Sequence, residues 1–101
     1  MRFVVLFAPN PEYQTPADPA VAQAVVDAHL QYQLRLQRDG IAVAGGPFAE
    51  GDAHADLVGM TVLRVKDLAT AQSIAMDDPA VIAGRMSVTV REWRLPAGRL
   101  P

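Results

Sequence analysis

No cysteine occurs in the 101 residues, so disulfides, thiolate nucleophiles and thiolate metal sites are excluded together. That absence suits a reducing compartment. Positive charge is neither abundant nor clustered: nine Lys and Arg stand against eleven Asp and Glu, a net charge of −2, with no basic cluster recurring along a face. Nucleic-acid binding needs such a footprint and is set aside as a partner class. The apolar opening from Met1 to Ala8 is too short for a secretion signal with its cleavage site and far too short to cross a bilayer. The expectation is a cytoplasmic protein with no membrane partner. Histidine is scarce as well, with His29 and His54 the two groups of ordinary acid-base range.

Half the residues are hydrophobic and one fifth charged, which fits one core and a single domain over residues 1–101. From Arg2 to Ala8 both alternating sets are apolar, the mark of a strand covered on both faces. Pro9, Pro11, Pro16 and Pro19 then interrupt the chain, and Asp18 before Pro19 suits a helix start. The helix is expected over 19–38 and stops at Asp39-Gly40, with Gly40 suited to a left-handed C-terminal turn. At 100° per residue Val21, Val25, Ala28, His29, Tyr32 and Leu36 share its core-facing flank, while Val26, Leu30 and Leu34 form a second apolar stripe of unassigned role. Strands are expected over 41–48, 57–65 and 86–94, with a hairpin-type connection at 50–56. Between the last two, Asp67 caps a helix whose Leu68, Ala71, Ile74 and Ala75 share a face, and a further helical turn runs from Pro79 to Gly84.

The order β-α-β-β-α-β is that of a ferredoxin-like α+β sandwich, a four-stranded antiparallel sheet with both helices on one face. The other face is left without cover, and the strands are apolar there too, so a second copy of the chain is expected to pack against it as a homodimer. Ala42, Ala44, Thr61, Ser87 and Thr89 are small or polar, and a pocket on that covered face is expected from them.

His29 is the residue on which a functional reading turns. Either it is a core histidine satisfied by a backbone carbonyl, or it borders a ligand site. His54 sits in the polar run from Gly51 to Asp56 and is read as solvated. In Asp77-Asp78-Pro79, Asp78 serves as a helix cap; Pro79 also fixes its backbone where a carboxylate can orient an imidazole, and the two roles are compatible. Gly45-Gly46-Pro47 permits close backbone approach, as a bulge, a turn or a binding loop. Arg85, Arg91, Trp93 and Arg94 are read either as rim residues or as facing an anionic ligand; Gly46, Pro47, Arg85 and Trp93 are the ligand-binding candidates.

The run His29-Leu30-Gln31-Tyr32, then Leu36, Gly40, Gly46-Pro47, Gly59, the helix from Asp67, Asp78-Pro79, Gly84 and Trp93 resembles the YciI-like (YCII-related) family over nearly the whole chain. The resemblance implies a ferredoxin-like subunit paired into a dimeric α/β barrel, with His29 and Asp78 as the active pair. Members of that family include dehydrochlorinases of chlorinated aromatic breakdown products that use neither metal nor organic cofactor, and muconolactone isomerases share the fold. The expected function is accordingly cofactor-independent acid-base chemistry, of lyase or isomerase type, on a small cyclic or aromatic acid. The alternatives are a non-catalytic ligand-binding or interaction module of the same fold and, behind it, a cofactor-free monooxygenase. Access separates the first two, since a catalytic His29 must border an open pocket.

Overall fold

In chain order the elements are β1 (Arg2–Pro9), α1 (Pro19–Arg38), β2 (Ala42–Pro47), β3 (Gly59–Arg64), α2 (Leu68–Met76), α3 (Pro79–Ile82) and β4 (Met86–Glu92). The computed structural model describes residues 1–49, 56–95 and 97–98. His54 and most of the expected hairpin connection at 50–56 lie outside the described residues.

The helix starts are chemical. Asp18, Asp67 and Asp78 each stand in extended backbone ahead of α1, α2 and α3, and each side chain accepts a backbone N–H of the first turn. Proline follows two of them, where its missing N–H costs nothing. Gly40 ends α1 at φ +75 and Gly84 follows α3 at φ +79, the left-handed turns that a Cβ would resist. Asp67 hydrogen bonds to Thr70, which holds its carboxyl below the usual range.

The sheet order is β2-β3-β1-β4, all antiparallel. Register decides which residues share a face. Phe3, Val5 and Phe7 of β1 stand opposite Leu63, Thr61 and Gly59 of β3, and opposite Glu92, Val90 and Val88 of β4. This is the helix side, where Phe3, Val5, Phe7 and Leu63 pack with Leu36 of α1 and Ala71 and Ala75 of α2 into the core. Val4, Leu6, Met60 and Val62 fall on the other side, flanked by Ser87, Thr89 and Arg91. No described helix covers that side.

Three expectations shift. Val21 is half exposed at 50%, and Leu68 is exposed as well, because each lies in the first turn of its helix at the margin of the helix layer. The pocket lies on the helix side of the sheet. A register shift between Ala42 and Ala44 puts Ala42 and Gly45 with Thr61 on that side, whereas Ala44, Ser87 and Thr89 point away from it.

Gly59 and Gly45 make β2 and β3 approach closely. A Cβ on Gly59 would stand 2.8 Å from the Gly46 carbonyl oxygen and 3.1 Å from Pro47 Cα, both backbone atoms that cannot swing away. Tyr32 ties the two long helices: its hydroxyl donates to the Ile74 carbonyl at 2.6 Å, and the Arg35 guanidinium lies 5.4 Å from its ring centre. Burial raises the Tyr32 phenol above its usual 10.0, reinforced by the charges of Asp77 and Asp78.

Tyr32→Phe strands the Ile74 carbonyl and is expected to cost about 1 kcal/mol, a fall of roughly 4–8 °C in thermal midpoint. Because the folded phenol loses its proton less readily than the unfolded one, its contribution is complete below pH 10 and declines as pH rises beyond it. The parent is therefore expected to lose urea resistance above pH 10 more steeply than Tyr32→Phe. Gly59→Ala is expected to cost about 1–3 kcal/mol by forcing β2 away from β3, read by thermal unfolding.

Candidate functional site

The N-terminus of α3 meets the middle of α1, and the contact is polar. Asp78 is 0% exposed, so its carboxylate must find its partners within the protein. Ala80 N donates to Oδ1 at 2.9 Å, Gln33 Nε2 donates to Oδ2 at 2.9 Å, and His29 Nδ1 donates between the two oxygens at 2.8 and 2.7 Å. A carboxylate only accepts, so the proton between the two side chains is on Nδ1, and in the neutral ring Nε2 carries the lone pair. The expected proximity of His29 and Asp78 is thus a direct contact. Among the described residues the hydrogen-bond partner of His29 is this carboxylate and not a backbone carbonyl.

His29 keeps 25% of its side chain accessible, and Phe7 meets its ring edge to face at 5.5 Å between centroids. Its exposed part borders a cleft of about 850 Å³ between α1 and the β2–β3 end of the sheet. The cleft exists because that stretch of sheet is nearly bare of side chains: Gly45, Gly46 and Gly59 form its floor with Pro47 and Thr61. Val26, Leu30 and Leu34 form the wall opposite, which answers what the second stripe of α1 does. Leu30 is 52% and Leu34 46% exposed because they face this open volume.

The third side is the segment after β1. Asn10 Nδ2 donates to the Gly84 carbonyl at 2.8 Å and Asn10 N to the Arg85 carbonyl at 3.1 Å, while Tyr13 N turns back to the Asn10 carbonyl at 3.0 Å. These bonds bring Tyr13 and Thr15 to the cleft beside Arg85, whose own N–H is held by the Ala80 carbonyl. Among the described lining residues Arg85 is the one permanent cation and none is acidic, so an anionic group is favoured there. Among the described residues no group of three or more His, Asp or Glu could hold a metal ion.

Gly46, Pro47 and Arg85 stand at the cleft with His29. Trp93 does not. It follows β4 at the end where Glu92 pairs with Phe3, whereas the cleft lies at the Met86 end. Seven residues of extended chain separate it from Met86, roughly 23 Å. Arg91 lies on the uncovered sheet side, and Arg94 is exposed, 3.6 Å from Glu92. Gln33, Asn10 and Tyr13 were not legible as site residues. Gln33 had one signal, its place one helical turn after His29; Asn10 and Tyr13, in an irregular segment, had none.

None of the described helices is long and apolar enough to cross a membrane. No curated protein matches the sequence. Several solved structures share the fold, among them two enzymes. One is the 5-chloro-2-hydroxyhydroquinone dehydrochlorinase TftG of Burkholderia phenoliruptrix in complex with 2,5-dihydroxybenzoquinone, at TM-score 0.65 and 21% identity, covering 93% of this chain and 94% of that one. The other is muconolactone isomerase, at TM-score 0.73 and 21% identity, covering 97% and 94%. At this identity the likeness is one of architecture, the ferredoxin-like α+β fold. The family model for the YCII-related domain matches residues 1–94, and the chain belongs to that family.

Proposed function

We propose that the protein is a small cytoplasmic enzyme without a cofactor, acting on a small cyclic or aromatic acid through His29 as proton carrier and Asp78 as its orienting partner. One observation supports this above the rest: an imidazole that borders an open, largely apolar cleft has its Nδ1–H held 2.7 Å from a fully buried carboxylate. The lack of cysteine agrees with the compartment.

In this reading the substrate ring lies against Phe7, Val26, Leu30 and Leu34, and its anionic group meets Arg85. Nε2 takes a proton from a ring carbon activated by a neighbouring carbonyl, and the buried Asp78 carboxylate steadies the imidazolium so formed. Returned at another carbon, that proton completes an isomerisation. Kept on His29, it completes an elimination: the electrons of the broken C–H bond form a double bond, a leaving group such as chloride departs with its own pair, and the proton passes to water. Of the solved structures that share the fold, the two described above bear the names of one enzyme of each kind.

We also propose that two copies pair through the sheet face opposite the helices, as in a dimeric barrel. Val4, Leu6 and Met60, each partly exposed, form an apolar strip there beside the buried Val62, and no described helix covers it. Light scattering is expected to give twice 10.9 kDa, and Leu6→Lys to give the monomer. A parent protein that is monomeric at micromolar concentration defeats this pairing.

Chloride release from chlorinated hydroxyquinones, and absorbance change with unsaturated lactone acids, test the activity. His29→Ala is expected to lower turnover by about 10²–10⁴ while leaving the protein folded and dimeric. Arg85→Gln is expected to raise KM more than it lowers kcat. A His29→Ala variant that melts several degrees lower yet binds and turns over like the parent defeats the catalytic reading.

A further inference from the structure

The carboxylate that holds His29 is itself held, and by a residue with no part in the proposal above. Each oxygen of Asp78 has its own flanking donor, Ala80 N on Oδ1 and Gln33 Nε2 on Oδ2, both at 2.9 Å. Between them Nδ1 of His29 sits nearly equidistant, 2.8 and 2.7 Å from the two oxygens. The Ala80 donor belongs to the α3 cap and comes with the fold. The Gln33 donor is a side chain, and a primary amide can face either way.

Its orientation is set from the other end. Thr61 on β3 donates its hydroxyl to Gln33 Oε1 at 2.8 Å, so the amide oxygen is engaged and the nitrogen is turned to Asp78. Thr61 is 3% exposed, and a Cβ on Gly45 would lie 2.8 Å from its Oγ1, so the glycine opposite leaves the hydroxyl its place. The chain of donors runs from the sheet to α1 to α3, and back to α1 at His29. Gln33 also borders the cleft, which puts its side chain between cleft water and a carboxylate with no exposure of its own.

We infer that Gln33, oriented by Thr61, is a positioning residue that keeps the Asp78 carboxylate squared on His29 Nδ1 and out of reach of cleft water, and so keeps the ring protonated at Nδ1. This rests on the acid-base reading only for its consequence in turnover. The positioning itself is a property of the free protein. Without the Gln33 donor, Oδ2 is left to His29 alone; the carboxylate is then free to turn, and water competes for the vacated side. Nothing in the first turn of α3 replaces it.

The test is ring ¹⁵N–¹H NMR on histidine-labelled protein carrying His54→Asn, so that one imidazole reports. The parent is expected to show His29 as the Nδ1–H tautomer with a slowly exchanging proton. Gln33→Met keeps the bulk and removes the donor, and is expected to speed that exchange at least tenfold and to populate the Nε2–H form. Thr61→Val is expected to speed exchange at least threefold, and Thr61→Ser, which keeps the hydroxyl, to match the parent. If Gln33→Met does not fold, Thr61→Val against Thr61→Ser decides the matter at the far end of the chain. Exchange within twofold of the parent in folded Gln33→Met, or in Thr61→Val where Gln33→Met does not fold, overturns the inference and leaves Gln33 a packing residue. Failure of the catalytic reading looks different: turnover indifferent to His29→Ala with these exchange effects intact.

Discussion

A buried carboxylate that, among the described residues, is held by neutral donors and a histidine is the constraint around which this molecule is arranged. Removing an ion from water is costly unless hydrogen bonds replace the lost solvation. Asp78 draws those bonds from three directions: the first turn of α3, the side chain of Gln33 and the ring of His29. All three must be in place together, so the packing of α3 on α1 and the placement of the imidazole are one problem with one solution. The same residue caps a helix and orients a histidine, and Asp-Pro serves both purposes because the proline sets the backbone from which the carboxylate reaches.

The cleft beside that pair is a packing deficit with a local cause. Elsewhere on the helix side Phe3, Val5 and Leu63 fill the space beneath α1 and α2. Toward the β2–β3 end the sheet presents glycine, and the wall above it is leucine and valine. A volume with an apolar wall, a bare floor, an imidazole and one guanidinium suits a flat ring bearing an anionic group better than it suits water. The two sides of the sheet thus carry separate duties, a site on the helix side and, as we propose, self-pairing on the other.

Much of this architecture was legible in the residues. Both-face apolarity of Arg2 to Ala8, the aspartate-proline starts and glycine stops of the helices, and the alternation after Met86 define the elements, because backbone sterics, capping and periodicity act over a few residues. His29 and Asp78 could be singled out from their local settings and from a family resemblance. What local pattern could not carry was position across the fold. Trp93 was expected with the ligand residues, and the register of β4 puts it at the far end of its strand. The pocket was expected on the uncovered face, and a single irregularity between Ala42 and Ala44 decides which small residues look which way.

The sequence by itself therefore determined the element order and the caps, which are set by neighbours within about a turn or a strand pair, while the pairing of His29 with Asp78 came from the family resemblance. Tertiary structure alone decided that Gln33 and Thr61 join the hydrogen bonds around Asp78, that Asn10 and Tyr13 close one side of the cleft beside Arg85, and that Val26, Leu30 and Leu34 line it. The side-chain hydrogen bonds of Thr61, Gln33 and Asn10 among them join residues from 28 to 74 positions apart. Their chemistry consists of two amides, two hydroxyls and a few methyl groups, which carry no signal until the packing of α1 and α3 on the sheet brings them together.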